Sequence, residues 1–234
     1  MRGRPRREAT VDTGALYARK REQLVALVRA CSDAELDRTV PATPDWRVRD
    51  AVAHVVGITV DMNRLDFGQG DPDAWTARQV DTRRGRTVDE LAAEWEQESP
   101  RFEEGLRLLG YSIGSHYVGD LHAHLQDVLA ALGQPADRDE PTVRVSLDFY
   151  LESFGEQLDD DGVGAVVVHA AGEEHVVGSG ASVATVAGDP FELLRAFSGR
   201  RSLDQVRRLA WTGAADRVVP VVSRYPFPEH DLVD

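Results

Sequence analysis

Two stretches of this sequence place metal-ligand side chains at helical spacing. In DLHAHLQD, Asp120 and His124 are four residues apart, so on a helix they stack one turn apart on one face. A carboxylate and an imidazole in that register can reach a single cation. Asp127, three residues further on, is placed to orient the His124 imidazole from behind, as a hydrogen-bonding partner of a ligand rather than a ligand itself. His122 lies two residues from both and faces elsewhere on the helix, so it is left out of the ligand set. The second stretch is AVAHVVG, where His54 interrupts an apolar run and needs a polar partner once buried. Two histidines and one carboxylate on facing helices make three protein ligands with coordination positions to spare, the pattern of a catalytic metal centre and not of a closed structural one. Spacing by itself also allows a surface ion pair at Asp120 and His124. The donor set suits zinc, and iron or nickel as well.

The elements that must position these groups can be read from periodicity and punctuation. Apolar residues recur at helical spacing from about Thr13 to Ala30, and a short turn follows at Asp33 to Leu36. PATPDW (Pro41–Trp46) reads as a loop because of its prolines. A second helix is expected from about Arg47 to Asp66. The polar stretch from Gly68 to Arg86 reads as a long crossover connection. Thr87 with Glu90 forms a capping box that opens a third helix through about Leu109, with Pro100 expected to break or kink it. Gly110 and Gly114 flank a turn, and a fourth helix runs from about Ser115 to Leu132, closed by Gly133. Beyond Pro135 the pattern changes. A helix from about Thr142 to Leu158, two strands around Ala171-Gly172, a strand in ASVATVAG, a helix capped by Asp189 with Pro190 in its first turn, and a final strand near Arg217 to Ser223 are expected. The fold class is therefore α+β: a four-helix bundle over residues 13–140, a smaller α+β domain over 141–234, and a basic disordered tail at 1–12.

Composition narrows the function. The chain has 234 residues and a net charge of -13, which argues against nucleic acid as a main partner, since phosphate binding needs a basic face. No apolar run reaches the 18 or so residues of a membrane span, and the RGRPRRE start lacks the apolar stretch of a secretory signal. A cytoplasmic protein acting on small molecules, monomeric or homodimeric, is the expectation. The single cysteine, Cys31, excludes an internal disulfide and sits in the apolar-periodic LVALVRAC run, where a packed core side chain is expected rather than a nucleophile.

Three stretches, TPDWRVRDAVAHVVG (Thr43 to Gly57), GDLHAHLQDVLAALGQP (Gly119 to Pro135) and GDPFELLRAFSGRRS (Gly188 to Ser202), resemble the mycothiol-dependent maleylpyruvate isomerase family of actinobacteria, within the wider DinB-like group. Their order and separation follow the family over nearly the whole chain. The resemblance implies a DinB-like bundle whose metal ligands fall on His54, Asp120 and His124, with Asp120 standing where the isomerases typically carry glutamate. It further implies mycothiol as co-substrate, and a thiol transferase or isomerase acting on a small electrophile. With no suitable thiol in the protein, the nucleophile is external. Arg200, Arg201 and Arg224 are candidate anion clamps through their planar guanidinium forks, against the alternative of a solvated basic edge. Trp46 and Trp75 either line a pocket or anchor the core, and His169 and His175 read as surface or packing residues. Two alternatives stay open: a hydrolase that uses the same metal to activate water, and a metal or small-ligand binding protein without turnover.

Overall fold

The computed structural model describes residues 11–68 and 70–234; most of the expected basic tail (1–12) lies outside them. The chain divides into two compact units, one ending at Ala136 and the other running from Asp137 to Val233.

The first unit is built on four long helices, α1 (Thr13–Arg29), α3 (Val48–Asn63), α5 (Val88–Leu109) and α6 (Tyr111–Leu132), with a single turn, α2 (Asp33–Leu36), after the first. Each start carries its own signal. Asp12 caps α1 by accepting from the Ala15 amide, and Ser32 and Thr87 each form a capping box with the glutamate three residues on, which satisfies amides that have no partner inside the helix. Gly133, in the left-handed conformation, closes α6. The apolar stripes meet around Trp95, fully buried, with Leu24, Val56, Leu91, Leu106, Val118 and Leu125. Three helices share one polar node in this core. Thr59 of α3 donates its hydroxyl to the Val55 carbonyl (3.2 Å) and accepts from Trp95 Nε1 of α5 (2.9 Å). With that proton spent, the 2.9 Å contact to Tyr17 of α1 has Tyr17 as donor, and burial, above all, pushes the Tyr17 phenol well above its usual range.

Several local expectations are corrected. PATPDW is not a loop: Thr43–Arg47 is strand β2, paired antiparallel with β1 (Thr39–Val40). Its prolines sit at or beside the ends of a two-strand ribbon, where a missing donor costs no ladder bond. The Gly68–Arg86 connection contains helix α4 (Pro72–Asp81), begun by Asp71, which accepts from the amides of Asp73 and Ala74, with Pro72 at the first turn. Helix α5 runs unbroken through Pro100; the proline removes one rung, while Trp95 and Phe102 on either side are packed against Tyr17, with ring centroids 6.3 and 5.0 Å away. Gly114 lies inside α6, which starts four residues earlier than expected, because a side chain there would meet Thr13: a Cβ would stand 2.1 Å from Thr13 Oγ1. Glycine here permits α1 and α6 to touch. Cys31 is half-buried at the end of α1 rather than in the core, donating to the Leu27 carbonyl (3.3 Å). Burial raises its pKa, which disfavours the thiolate.

The second unit has the sheet order β4-β3-β5-β6, with β3 (Ala165–Ala170), β4 (Glu173–Val177), β5 (Ser182–Gly188) and β6 (Ala210–Gly213). Ala171 and Gly172, both at positive φ (51° and 76°), make the tight turn that the twist of a hairpin favours. Helices α7 (Glu140–Asp160) and α8 (Pro190–Phe197) are joined by stacked Phe154 and Phe197, centroids 4.9 Å apart; α9 (Leu203–Arg207) follows. The expected strand at Arg217–Ser223 is instead α10 (Ala215–Val218) and a 3-10 turn through Val221. Pro220 cannot donate to a ladder, and the last strand is AWTG, whose Ala184↔Gly213 pairing depends on glycine. A Cβ on Gly213 would fall 2.5 Å from the Val183 carbonyl oxygen.

Candidate metal centre

The three expected ligands come together. His54, from the first half of α3, and Asp120 and His124, one turn apart in the middle of α6, offer ligand atoms that all lie within 4.8 Å of one another. His54 and His124 are buried at 5% and 6% exposure, and their rings meet edge-on at 4.8 Å between centroids. Asp120 is the more open member, with a quarter of its side chain accessible and Oδ1 3.7 Å from His124 Nε2. Tetrahedral donors about 2.1 Å from one ion stand about 3.4 Å apart, so this pair is already near the required spacing.

Each imidazole has a polar group beside its Nδ1. His54 Nδ1 hydrogen-bonds Gln79 Oε1 at 2.8 Å, and His124 Nδ1 faces the fully buried Asp127 carboxylate at 3.6 Å, the position expected of Asp127. In each ring this leaves Nε2 as the nitrogen that can offer a lone pair to a cation. A set of N, N and O donors with polar groups behind the rings fits a divalent metal chemically.

Trp46, half-buried on β2, forms a wall beside both histidines, its ring 5.0 Å from that of His54 and 5.7 Å from that of His124. The following residue locks it in place. Arg47 grips Asp50 through its backbone amide (3.0 Å), Nε (2.9 Å) and Nη2 (3.1 Å), pinning the corner between β2 and α3. Burial works to raise the Asp50 carboxyl, but the bonds and charge of Arg47 outweigh it and hold the group below the usual aspartate range. A depressed folded-state pKa contributes stability that is present above the ordinary value of about 3.9 and is lost as pH falls through the lower folded value. Urea titrations between pH 6 and pH 3 are therefore expected to show a steeper acid loss in the wild-type chain than in Asp50→Asn. Equal slopes would remove Asp50 as a source of acid sensitivity.

Gln79 is the residue that sequence reasoning missed. It lay inside the presumed crossover, although Asp71-Pro72-Asp73 spells a helix start. Gly57 was the second signal: a Cβ on Gly57 would lie 2.5 Å from Gln79 Cβ, so the glycine in AVAHVVG is the notch into which α4 lays this side chain. His122 is fully buried and bonded through Nε2 to Gln126 Nε2 (2.8 Å), away from the ligand trio as its spacing required.

The arginine candidates belong to the second unit. Arg200 and Arg201 are buried, not a solvated edge. Arg201 holds Glu192 through Nε (2.9 Å) and donates to the Arg200 carbonyl (2.9 Å), while Arg200 donates to the Ser198 carbonyl (2.7 Å). Together they brace the exit of α8. Arg224 is exposed and pairs with Glu156 and Asp160 at 3.2 and 3.4 Å. Trp75 is half-buried under the backbone of Gly68, in a surface cavity of about 500 Å³ that also includes Arg64, Phe67 and Arg78. His169 is exposed and His175 half-buried on the β3–β4 hairpin.

Residues 17–111 match the family described as the mycothiol maleylpyruvate isomerase N-terminal domain. The match lies wholly within the N-terminal unit and covers less than half of the chain. No curated protein matches the chain. Among solved structures, that of the mycothiol-dependent maleylpyruvate isomerase is similar over 81% of this chain and 88% of its own, with a TM-score of 0.57 and 15% identity. A mutant of that isomerase with one histidine changed to alanine gives 0.53 and 14% over the same shares. At such identities the likeness establishes the fold alone, α+β with the helical bundle first. The family match covers α3 with His54 but ends at Tyr111, before Asp120 and His124 on α6. The ligand trio therefore rests on geometry.

Proposed function

We propose that this protein is a metal-dependent enzyme that activates an external thiol, mycothiol in keeping with the family that its N-terminal unit matches, for transfer to or isomerisation of a small electrophile. The observation that carries the metal is the convergence of His54, Asp120 and His124 from two helices, with a polar group beside Nδ1 of each ring, which leaves Nε2 to offer the lone pair. Zinc is the proposed ion. Bound there, it would favour the thiolate of an incoming thiol and so supply a nucleophile at neutral pH.

The chain's own residues do the rest. His54 and His124, as neutral ligands, leave Asp120 as the only anionic one, so the site keeps a net positive charge that attracts a thiolate. Trp46 presents an apolar face beside both rings and limits water around the reacting sulfur. The half-buried Cys31 thiol at the end of α1, its pKa raised by burial, supplies no competing nucleophile. Addition of a thiolate to an activated alkene, rotation and elimination would isomerise it; displacement of a leaving group would complete a transfer. Trp46 belongs to the proposed substrate-contacting set by its position; among the arginine candidates of the second unit, Arg224 is the exposed one, while Arg200 and Arg201 are engaged around the exit of α8.

Metal analysis of the purified protein is the first test, with about one zinc per chain expected. Thiol consumption is then followed with maleylpyruvate and with chlorinated electrophiles, in the presence and absence of mycothiol. Turnover that needs both metal and thiol supports the proposal. Turnover by water alone identifies a hydrolase, and metal without turnover identifies a binding protein.

A further inference from the structure

Behind His54 lies a second layer of polar groups that ends on a carboxylate. Gln79 is buried at 1% exposure; its Oε1 stands 2.8 Å from His54 Nδ1 and its Nε2 donates to Asp61 Oδ2 at 2.9 Å. His54, Gly57 and Asp61 are spaced three and four residues apart on α3, so they share one face. Gln79 of α4 lies across that face in the notch left by Gly57.

The directions of these bonds follow from the termini. An ionised carboxylate only accepts, so the amide end of Gln79 that faces Asp61 must be its NH₂. The other end, facing His54, is then the oxygen, which also only accepts. His54 Nδ1 must therefore carry the proton, and Nε2 the lone pair. Resting on the metal reading above, we infer that Gln79 and Asp61 are positioning residues: Asp61 orients Gln79, and Gln79 fixes the His54 tautomer that can ligate a cation through Nε2. The two rings are held by different chemistry, a neutral amide behind His54 and a carboxylate behind His124. Without the relay, the Nε2–H tautomer that free imidazole prefers would have to be converted before each binding event.

The test reads the tautomer directly. In the metal-free protein at pH 8, long-range proton–nitrogen NMR correlations of labelled histidine are expected to show His54 as Nδ1–H. Gln79→Leu has nearly the same shape and no acceptor. It is expected to shift His54 toward Nε2–H and to weaken zinc binding by about 10–100-fold, the scale seen when groups supporting a ligand are removed. Gln79→Glu combined with Asp61→Asn restores an acceptor toward His54 without opposing charges, and is expected to restore both the Nδ1–H tautomer and zinc affinity. A packing role alone would not distinguish these variants. Asp61→Asn alone is expected to give a mixture of tautomers. Arg78, 3.9 Å from Asp61, is the control, and Arg78→Gln is expected to leave the tautomer unchanged. If Gln79→Leu keeps Nδ1–H and its zinc affinity, the inference is overturned. If Arg78→Gln mimics Asp61→Asn, the role of Asp61 is overturned. Should the wild-type chain bind no zinc, the metal reading fails while the tautomer measurements still decide the relay.

Discussion

The His124→Ala protein is expected to bind zinc about 10²–10³-fold more weakly than the wild-type chain, with its helix content unchanged. Zinc sites with four protein ligands hold the ion with roughly 10–16 kcal/mol, so each ligand contributes on the order of 2.5–4 kcal/mol. His124 sits in the middle of α6 and meets the other two ligands as well as Asp127 and Trp46. Its Nε2 faces Asp120, its Nδ1 faces Asp127, and its ring meets those of His54 and Trp46. Alanine favours the helix, so the backbone that carries Asp120 is retained. His54→Ala is expected to lose affinity on the same scale from the other helix. The discriminating control is His122→Ala: this histidine is equally buried but bonded to Gln126, so the change should lower stability and leave zinc affinity alone. Competition titration with a chromophoric chelator reads all three. Full zinc affinity in His124→Ala would sink the proposed ligand set.

Trp95→Ala is expected to destabilise the bundle by about 3–5 kcal/mol, the range for removing a fully buried large aromatic side chain. The loss has two sources. The indole is completely enclosed between α1 and α3 and meets Tyr17 edge-on at 6.3 Å, so its removal leaves a cavity that rigid helices close only in part. Its N–H is also one of the two donors that Thr59 accepts. Trp95→Phe keeps most of the volume but not the donor, and should cost less. Urea denaturation followed by circular dichroism measures both. A loss under 1 kcal/mol in Trp95→Ala would show that the core repacks around the gap, and would remove the node at Thr59 as a source of stability.

Much of this molecule was legible because its signals are local. The capping box at Thr87, the glycine Gly133, and apolar residues at helical spacing give helix identity and ends within a few residues, and the Asp120–His124 register follows from 3.6 residues per turn. The failures have the opposite character. Helix α4 was hidden because it is short and mostly exposed, with only Gln79 and Val80 buried, so no apolar stripe betrays it. The valines around Pro220 have strand propensity, but a proline without a donor and a sheet already completed by β6 leave them in turns. Gly114 looked like a turn because the reason for it, Thr13 of another helix, is about a hundred residues away.

The site divides the same way. The sequence alone determined that His54 is a polar residue in an apolar helix, and that Asp120, His124 and Asp127 share a face, since both follow from residue order and helical geometry. Tertiary structure alone decided that the two helices bring these atoms within 4.8 Å, that Trp46 of a two-strand ribbon stands beside both rings, and that Gln79 reaches His54 across a notch made by Gly57. Those relations depend on distances between segments far apart in the chain, which are set by how cores pack and not by any local preference. Ligand-type residues can be read along the chain, whereas the hydrogen-bond partner of His54 is set by its neighbours in space.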